Sequence, residues 1–526
     1  MNKNNKQMVI VSLFSIIFGV HNISAIGGSR QLKKNQSSMH KPVSSERKTL
    51  NAPATRVSCI STVPIIDNTY TVVLSTDTSA VGELRWAIQQ SNANPPAAGH
   101  LNAINFNISG TGPFTIQPVT ALDAITQPVF INGYSQPGAS CNTDLFASNA
   151  VLLIEINGSN YTVGNGLFSD PTSNGLYITG TATGSIISGL IINQWIGAGI
   201  FIDGTEAETD VDNCTIVGNF IGTDSTGTMQ SANQLGVLIN GANGTIIGDA
   251  TPKGRNVFGG SFAMTNAGAC ISVYFGNGTS IQGNLVGLDK TGTSVLGNSQ
   301  VGIQIASSFQ QFLGQADSTI IGGSTAAERN VISGHLVSGI ILGGQTTNSL
   351  VQGNYVGTDV TGTIVLGNGN TGISVYGNGF GINTSDNLIG GTTSGTGNLV
   401  VGSGVSAILV GTPEYILFAT NNTIQGNLIG TNIQGAAVLG NDGYGVSIAD
   451  TSNIVGGSTP GAGNIISGND QGGIVIYGQF ATGSAALGNL IGTDKTGTRI
   501  LGNGGNGIQI GLVGGLGGAS NITIGG

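Results

Sequence analysis

The chain has 526 residues, of which 89 are glycine, 39% are hydrophobic and only 8% are charged, with a formal net charge of −9. Ile, Val and Leu recur throughout a background of Gly, Asn, Thr and Ser, which excludes a disordered polyelectrolyte and predicts a folded chain with many tight turns. Residues 1–56 hold 9 of the 16 Lys and Arg and one acid, so the rest carries 7 basic and 24 acidic groups, net −17, and lacks the basic face that nucleic acid requires.

In chain order, Lys3 and Lys6 precede an apolar run at 8–20, MVIVSLFSIIFGV, which gives way to small residues around Ser24 and Ala25. Basic, apolar and small residues in that order predict a signal peptide over 1–25, because a membrane anchor needs about 20 apolar residues. The chain is expected to be secreted or displayed at a cell surface, with no transmembrane helix after the signal peptide. Residues 26–60, basic and rich in Ser and Asn, are expected to be a disordered leader. Four cysteines come next, Cys59, Cys141, Cys214 and Cys270. They allow three disulfide pairings or remain buried thiols; without CxxC spacing or a nearby His they do not predict zinc.

Residues 61–184 read as an N-terminal cap and first irregular coils. Within them, 83–92 (ELRWAIQQSN) is the one stretch expected to form a helix, closing the apolar end of the coils downstream.

From 185 to 526 the dominant feature is self-similarity. GNFIGTDSTGT begins at Gly218, GNLVGLDKTGT at Gly283, GNYVGTDVTGT at Gly353, GNLIGTNIQGA at Gly426 and GNLIGTDKTGT at Gly488. Between them lies a second unit: TIIGDATPKGRNVFGGS from Thr245, TIIGGSTAAERNVISGH from Thr319, NLIGGTTSGTGNLVVGS from Asn387 and NIVGGSTPGAGNIISGN from Asn453. Both end on short alternating segments such as GVLI at 236–239 and GIQI at 302–305, which is strand periodicity with one buried face. Coils this short cannot bury a core alone and must stack, which predicts an all-β parallel β-helix.

These repeats resemble those of right-handed parallel β-helix proteins with the pectin-lyase-like fold, which implies a right-handed winding. Upstream, GELRWAIQQSNANPPAAGHLNAINFNISGTGPFTI (82–116) and ITQPVFINGYSQPG (125–138) resemble the N-terminal part of CSLREA-type bacterial surface proteins, although Gly82 and Glu83 break the leading motif. The resemblance implies a polysaccharide or a cell-surface component as partner, and a lyase or glycoside hydrolase acting on acidic polysaccharide as the enzymatic alternative.

The chemistry that such an enzyme needs is not readable in the repeats. DKTGT at 494–498 resembles the phosphorylation loop of P-type ATPases, but the aligned positions are Asp224, Asp289, Asp359 and Asn432, and Asn cannot accept a phosphoryl group. Asp or Asn opening a turn with Gly at its fourth position predicts turn stabilisation instead. The same Asp224, Asp289, Asp359 and Asp494 are weak calcium candidates, one carboxylate per loop with help from Thr and carbonyl oxygens; no other cofactor is expected. No catalytic residue is assigned.

Of the motifs of inverting polygalacturonases the chain has only NTD, at Asn142–Asp144. His335 aligns with Asn469 and reads as a turn residue; Arg255 and Arg329 align with Gly397 and Gly463 and read as variable turn positions. The aligned asparagines, Asn256, Asn330, Asn398 and Asn464 in one unit and Asn219, Asn284, Asn354, Asn427 and Asn489 in the other, are expected to fix turns or stack into ladders. In the GIxI segments the outward residue is polar in one unit (Gln304, Ser374, Ser447, Gln509) and aliphatic in the other (Ile341, Leu409, Val475), so either a loop covers this face or a partner does. Any catalytic groups are expected in the irregular stretches 203–212, 306–318 or 411–421. Because ITIGG at 522–526 repeats the start of the second unit, the chain is expected to be a fragment of a longer protein.

Overall fold

The computed structural model describes residues 59–161, 170–205, 211–262, 268–297, 300–306, 316–377, 383–412, 418–511 and 518–525. The expected signal peptide and nearly all of the leader fall outside them, as do residues 206–210, 307–315 and 413–417 of the irregular stretches expected to hold any catalytic groups.

Strands wind through three long parallel sheets, with a fourth of four short strands from Ala316–Asp317 to Ala419–Thr420. The first has 14 strands, from Ile66–Val72 to Thr523–Gly525; the second has 12, from Phe114–Ile116 to Leu490–Ile491; the third has 11, from Leu176–Ile178 to Asn506–Ile510. At a strand spacing of about 4.8 Å, the first sheet runs for roughly 60 Å.

One coil shows the logic. It passes through Leu350–Gln352, Tyr355–Val356 and Thr371–Tyr376 before the next begins at Leu388–Gly390. Val351 pairs with Ile321 and Ile389, Val356 with Ile332 and Val400, and Ile373 with Ile340 and Ile408. All nine are fully buried, so each aliphatic sits in a column of its own kind running up the interior. Burying such side chains gives each coil its stability only when neighbours supply the other half of the column. This is the predicted parallel β-helix.

The two repeat units differ in where the chain leaves the wall. In the GNxxG unit only two residues separate the first and second sheets, and the long excursion comes after the second sheet (357–370). In the other unit the excursion lies before it (323–330), and the return is short. Both glycines of GNxxG have left-handed backbone, φ +65° at Gly353 and +89° at Gly357. A Cβ at Gly357 would stand 1.9 Å from the Val401 carbonyl oxygen, so no other residue fits there.

The predicted helix, α1 (Leu84–Ala93), closes the first coils with Leu84, Ala87 and Ile88 buried in the main core. Two charged residues at its start are buried too. Glu83 accepts hydrogen bonds from Thr76 Oγ1 and from the Thr78 and Ala80 amides; burial opposes its ionisation, but these bonds prevail and lower its pKa. Arg85 makes a bidentate pair with Asp77 (2.8 and 2.7 Å) and donates to the Thr120 and Ala121 carbonyls.

Of the three possible pairings the structure forms Cys59–Cys141, while Cys214 and Cys270 are buried thiols. Burial pushes both thiols up to about 12, which leaves them protonated and unreactive. Next to the disulfide, the Asn142 side chain donates to the Asp144, Ala147 and Pro252 carbonyls and accepts from the Asp144 and Asn149 amides. The NTD motif therefore ties an early loop to a coil more than a hundred residues later.

Candidate functional site

The five loops after the second sheet are alike in detail. In the first, the Gly227 amide donates to the Asp224 carbonyl (3.1 Å), while the Asp224 carboxylate accepts from Thr226 Oγ1 and from the Thr228 and Met229 amides (both 3.1 Å). Asp289, Asp359 and Asp494 repeat this with Thr291, Thr361 and Thr496. Asn432 does the same with one oxygen, accepting from the Ala436 and Ala437 amides (3.0 and 3.2 Å). The side chain thus reaches four and five residues on, farther than a simple type I turn needs, because a small hairpin closes the loop.

Burial works against ionisation of Asp224 and Asp494, but the Thr hydroxyl and the amides outweigh it and hold both below the ordinary carboxylate range. Successive loops also join directly: the amides of Lys290, Val360 and Lys495 donate to the carbonyls of Gly227, Gly292 and Gly435 in the loop before. A cation at any of these carboxylates would compete with donors from the same loop. Among the described residues, no three His, Cys, Asp or Glu side chains converge.

The two asparagine series merge into one. Asn219, Asn256, Asn284, Asn330, Asn354, Asn398, Asn427, Asn464 and Asn489 form a single ladder, each Nδ2 donating to the next Oδ1 at 2.9–3.2 Å. The same Nδ2 also donates to a first-sheet carbonyl of the preceding coil, as Asn354 does to Ile321 at 2.8 Å. The oxygen accepts a main-chain amide as well, as Asn398 does from Asn354 at 3.0 Å. Eight of the nine residues are fully buried. Their hydrogen-bonding capacity is consumed inside the wall, and none is left for a ligand.

Two further ladders were not legible as such. Asn441, Asn469 and Asn503 link at the corner between the second and third sheets. Asn387, Asn422 and Asn453 link at the corner between the third and first. At that third corner the preceding residues Asp386, Asn421 and Ser452 have φ of +61°, +57° and +59°, a left-handed turn that delivers each ladder residue inward. The signal was present, since Asn387 and Asn453 open two of the repeat units.

His335 occupies the second corner, its amide donating to Asn368 Oδ1, as its alignment with Asn469 implies. Its ring is buried, which pushes its pKa down to about 3. Arg255 and Arg329, expected to be variable turn positions, are buried and half-buried respectively. Both rows of outward residues on the third sheet are largely buried: Ile341 is 4% exposed, Ser374 4%, Ser447 2% and Val475 1%. Tyr274 and Tyr376 pack against this layer, and Ser338, Thr371 and Ser374 share a chain of hydroxyl hydrogen bonds across it.

One acid–base pair places its histidine at a pocket. His100 Nδ1 lies 2.6 Å from Asp67 Oδ1, and Asp67 Oδ2 accepts the Ala97 amide at 2.6 Å. The Ala97 amide, then His100, holds the Asp67 carboxyl below its ordinary range. His100, Thr62, Leu101, Pro128, Thr183 and Ile186 are among the residues bounding a pocket of about 340 Å³ beside the first sheet. A carboxylate fixed on Nδ1 orients an imidazole for proton transfer at Nε2. Sequence reasoning missed the pair because the two residues stand 33 positions apart, on adjacent coils, outside any motif.

No protein-family model matches the chain, and no curated protein matches its sequence. Solved structures with a similar course include the A-module of a mannuronan C-5 epimerase from Azotobacter vinelandii (14% identity, 86% of this chain and 99% of that one, TM-score 0.46). The Dettilon tailspike protein (14%, 87% and 68%, TM-score 0.44) and an alginate lyase from Paenibacillus sp. str. FPU-7 (14%, 84% and 99%, TM-score 0.38) are others.

Proposed function

We propose that the chain is an exported, rigid β-helix scaffold that displays its outer faces to carbohydrate, as a structural or adhesive element and not primarily as a catalyst. One observation carries this reading: the polar residues that recur in every coil follow the repeat register and end in the nine-asparagine ladder, inside the wall. A catalytic groove would instead gather unlike polar groups at one height. The amino-terminal apolar run supports export, and among the described residues no helix is long and apolar enough to cross a membrane.

The His100–Asp67 pair favours a second reading, a lyase or hydrolase of acidic polysaccharide that uses His100 to move a proton at the pocket. Retention of the purified chain on immobilised acidic and neutral polysaccharides, with chain length and unsaturated uronide ends of the polymer measured after incubation, separates the two. The scaffold reading expects retention with the polymer intact. Shortened polymer that is spared by His100→Ala would establish the enzyme and sink the scaffold.

A further inference from the structure

The outer side of the second sheet brings two positive charges together in an acidic body. Arg255 and Arg329 stand at equivalent places, each just before a ladder asparagine, in coils separated by one with Gly283 at that place. Two coil steps are roughly 10 Å, and between the two side chains lies a shallow, half-open cleft of about 10 Å³, room for one water. Both arginines line it, with Leu145, Phe146, Val331 and Val360 around them.

Arg255 is only 3% exposed. Its guanidinium donates to the Leu145 carbonyl (2.7 Å) and the Phe146 carbonyl, and its Nε has no acceptor among the described residues. The nearby acid, Asp144, is committed to the Phe146 and Ala147 amides (2.8 and 3.0 Å). Burial, partly offset by Asp144 and reinforced by Arg329, pushes the Arg255 pKa down to about 10. Arg329 lies 4.0 Å over the Tyr355 ring and donates Nε to the Gly353 carbonyl (3.1 Å), which leaves its terminal nitrogens for another acceptor. The ion pairs of the described residues are Arg85 with Asp77 and Asp123, and His100 with Asp67; neither of these two arginines has one. Burying a guanidinium beside a like charge is costly without an anion to share. At the rim, Phe146 and Leu145 are 48% and 38% exposed, an apolar edge of the kind that a sugar ring covers.

We propose that the mouth of this cleft binds a sulfate ester or carboxylate borne by a glycan, the anion resting on the surface, with Arg329 making the contact, Arg255 supplying charge from beneath, and Phe146 meeting the sugar. The proposal rests on the carbohydrate-binding reading above and adds the ligand's charge and its place.

The test uses three polymers with one backbone, dextran, dextran sulfate and carboxymethyl dextran, plus inorganic sulfate, at constant ionic strength. The proteins are the wild-type chain, Arg329→Gln and, as a control, Arg499→Gln at an exposed arginine elsewhere, each checked for native circular dichroism. The wild type and Arg499→Gln are expected to bind a charged dextran at least about tenfold more tightly than Arg329→Gln does, the loss of one charge-assisted contact. Which charged dextran it is distinguishes sulfate from carboxylate. Equal binding by Arg329→Gln, equal loss in Arg499→Gln, or equal affinity for neutral dextran overturns the proposal. If no dextran binds but inorganic sulfate raises the melting temperature of the wild type and not of Arg329→Gln, the anion site stands and the carbohydrate reading fails.

Discussion

The cap and the coils are stabilised in opposite ways. Around residues 59–161 every strong contact is unique: one disulfide, one buried Arg85–Asp77 pair, one Glu83 held by its own loop, one Asn142 that reaches Pro252. From Asn219 to Asn489 the same few contacts recur, an aliphatic column, an amide ladder and a hairpin loop, with each coil completing the one before. The difference teaches that a solenoid needs individual chemistry only where it has no preceding coil to copy. A defect should therefore act locally in the cap and spread in the coils.

Breaking the ladder is expected to have the largest effect. Asn354→Ala removes the side-chain bonds to Asn398, Ile321 and Gln352 and takes the acceptor from the Asn330 main-chain and side-chain amides, while Asn398 Oδ1 keeps the main-chain amide of residue 354. A loss of about 4 to 5 kcal/mol in urea unfolding is expected. In the cap, replacing Cys59 and Cys141 together by alanine releases a loop with a sequence separation of 82 and should cost about 4 kcal/mol, with proteolysis sites confined to the cap. Cleavage appearing throughout the coils would contradict the division.

His335 sharpens the comparison through pH. With its pKa lowered from 6.5 to about 3 by burial, the folded state excludes a proton that the unfolded chain binds between those values. Stability is therefore full above pH 6.5 and falls by about 1.4 kcal/mol per unit below it, about 3 kcal/mol by pH 4. His335→Asn places the usual ladder residue there, and its stability curve should lack that acid-side component; identical slopes for the two proteins would refute the buried-histidine account.

The smallest effect belongs to the loops. Asp289→Asn keeps the oxygen that Asn432 uses, so a loss of about 1 kcal/mol or less is expected in the same assay. Adding calcium should leave the melting temperature of both proteins where it was; a rise in the wild type alone would make Asp289 a cation ligand.

Much of the coil architecture was legible because it is written many times. Asn432 among four aspartates identified the loop as a turn, and aliphatic alternation identified the strands. That the two asparagine series are one ladder was not legible: 323–330 and 357–370 are excursions from the wall that leave the corner register unchanged, and only the fold shows which residues return to the same column. The cap was legible only as far as its helix. Its charged contacts join residues such as Asp77, Arg85 and Thr120 that share no period, and the Cys59–Cys141 pairing depends on where coils come to rest. Arg255 and Arg329 looked variable because later coils have Gly397 and Gly463, yet variation between coils is how a solenoid makes one height different from another.

Hydrogen exchange of Asn354→Ala against the wild type reads whether the asparagine ladder couples neighbouring coils. If the ladder couples coils, protection should fall together in the strands at 331–332, 355–356 and 399–400, on both sides of the missing amide. Loss of protection at 355–356 alone would contradict the account and make each asparagine a local turn residue.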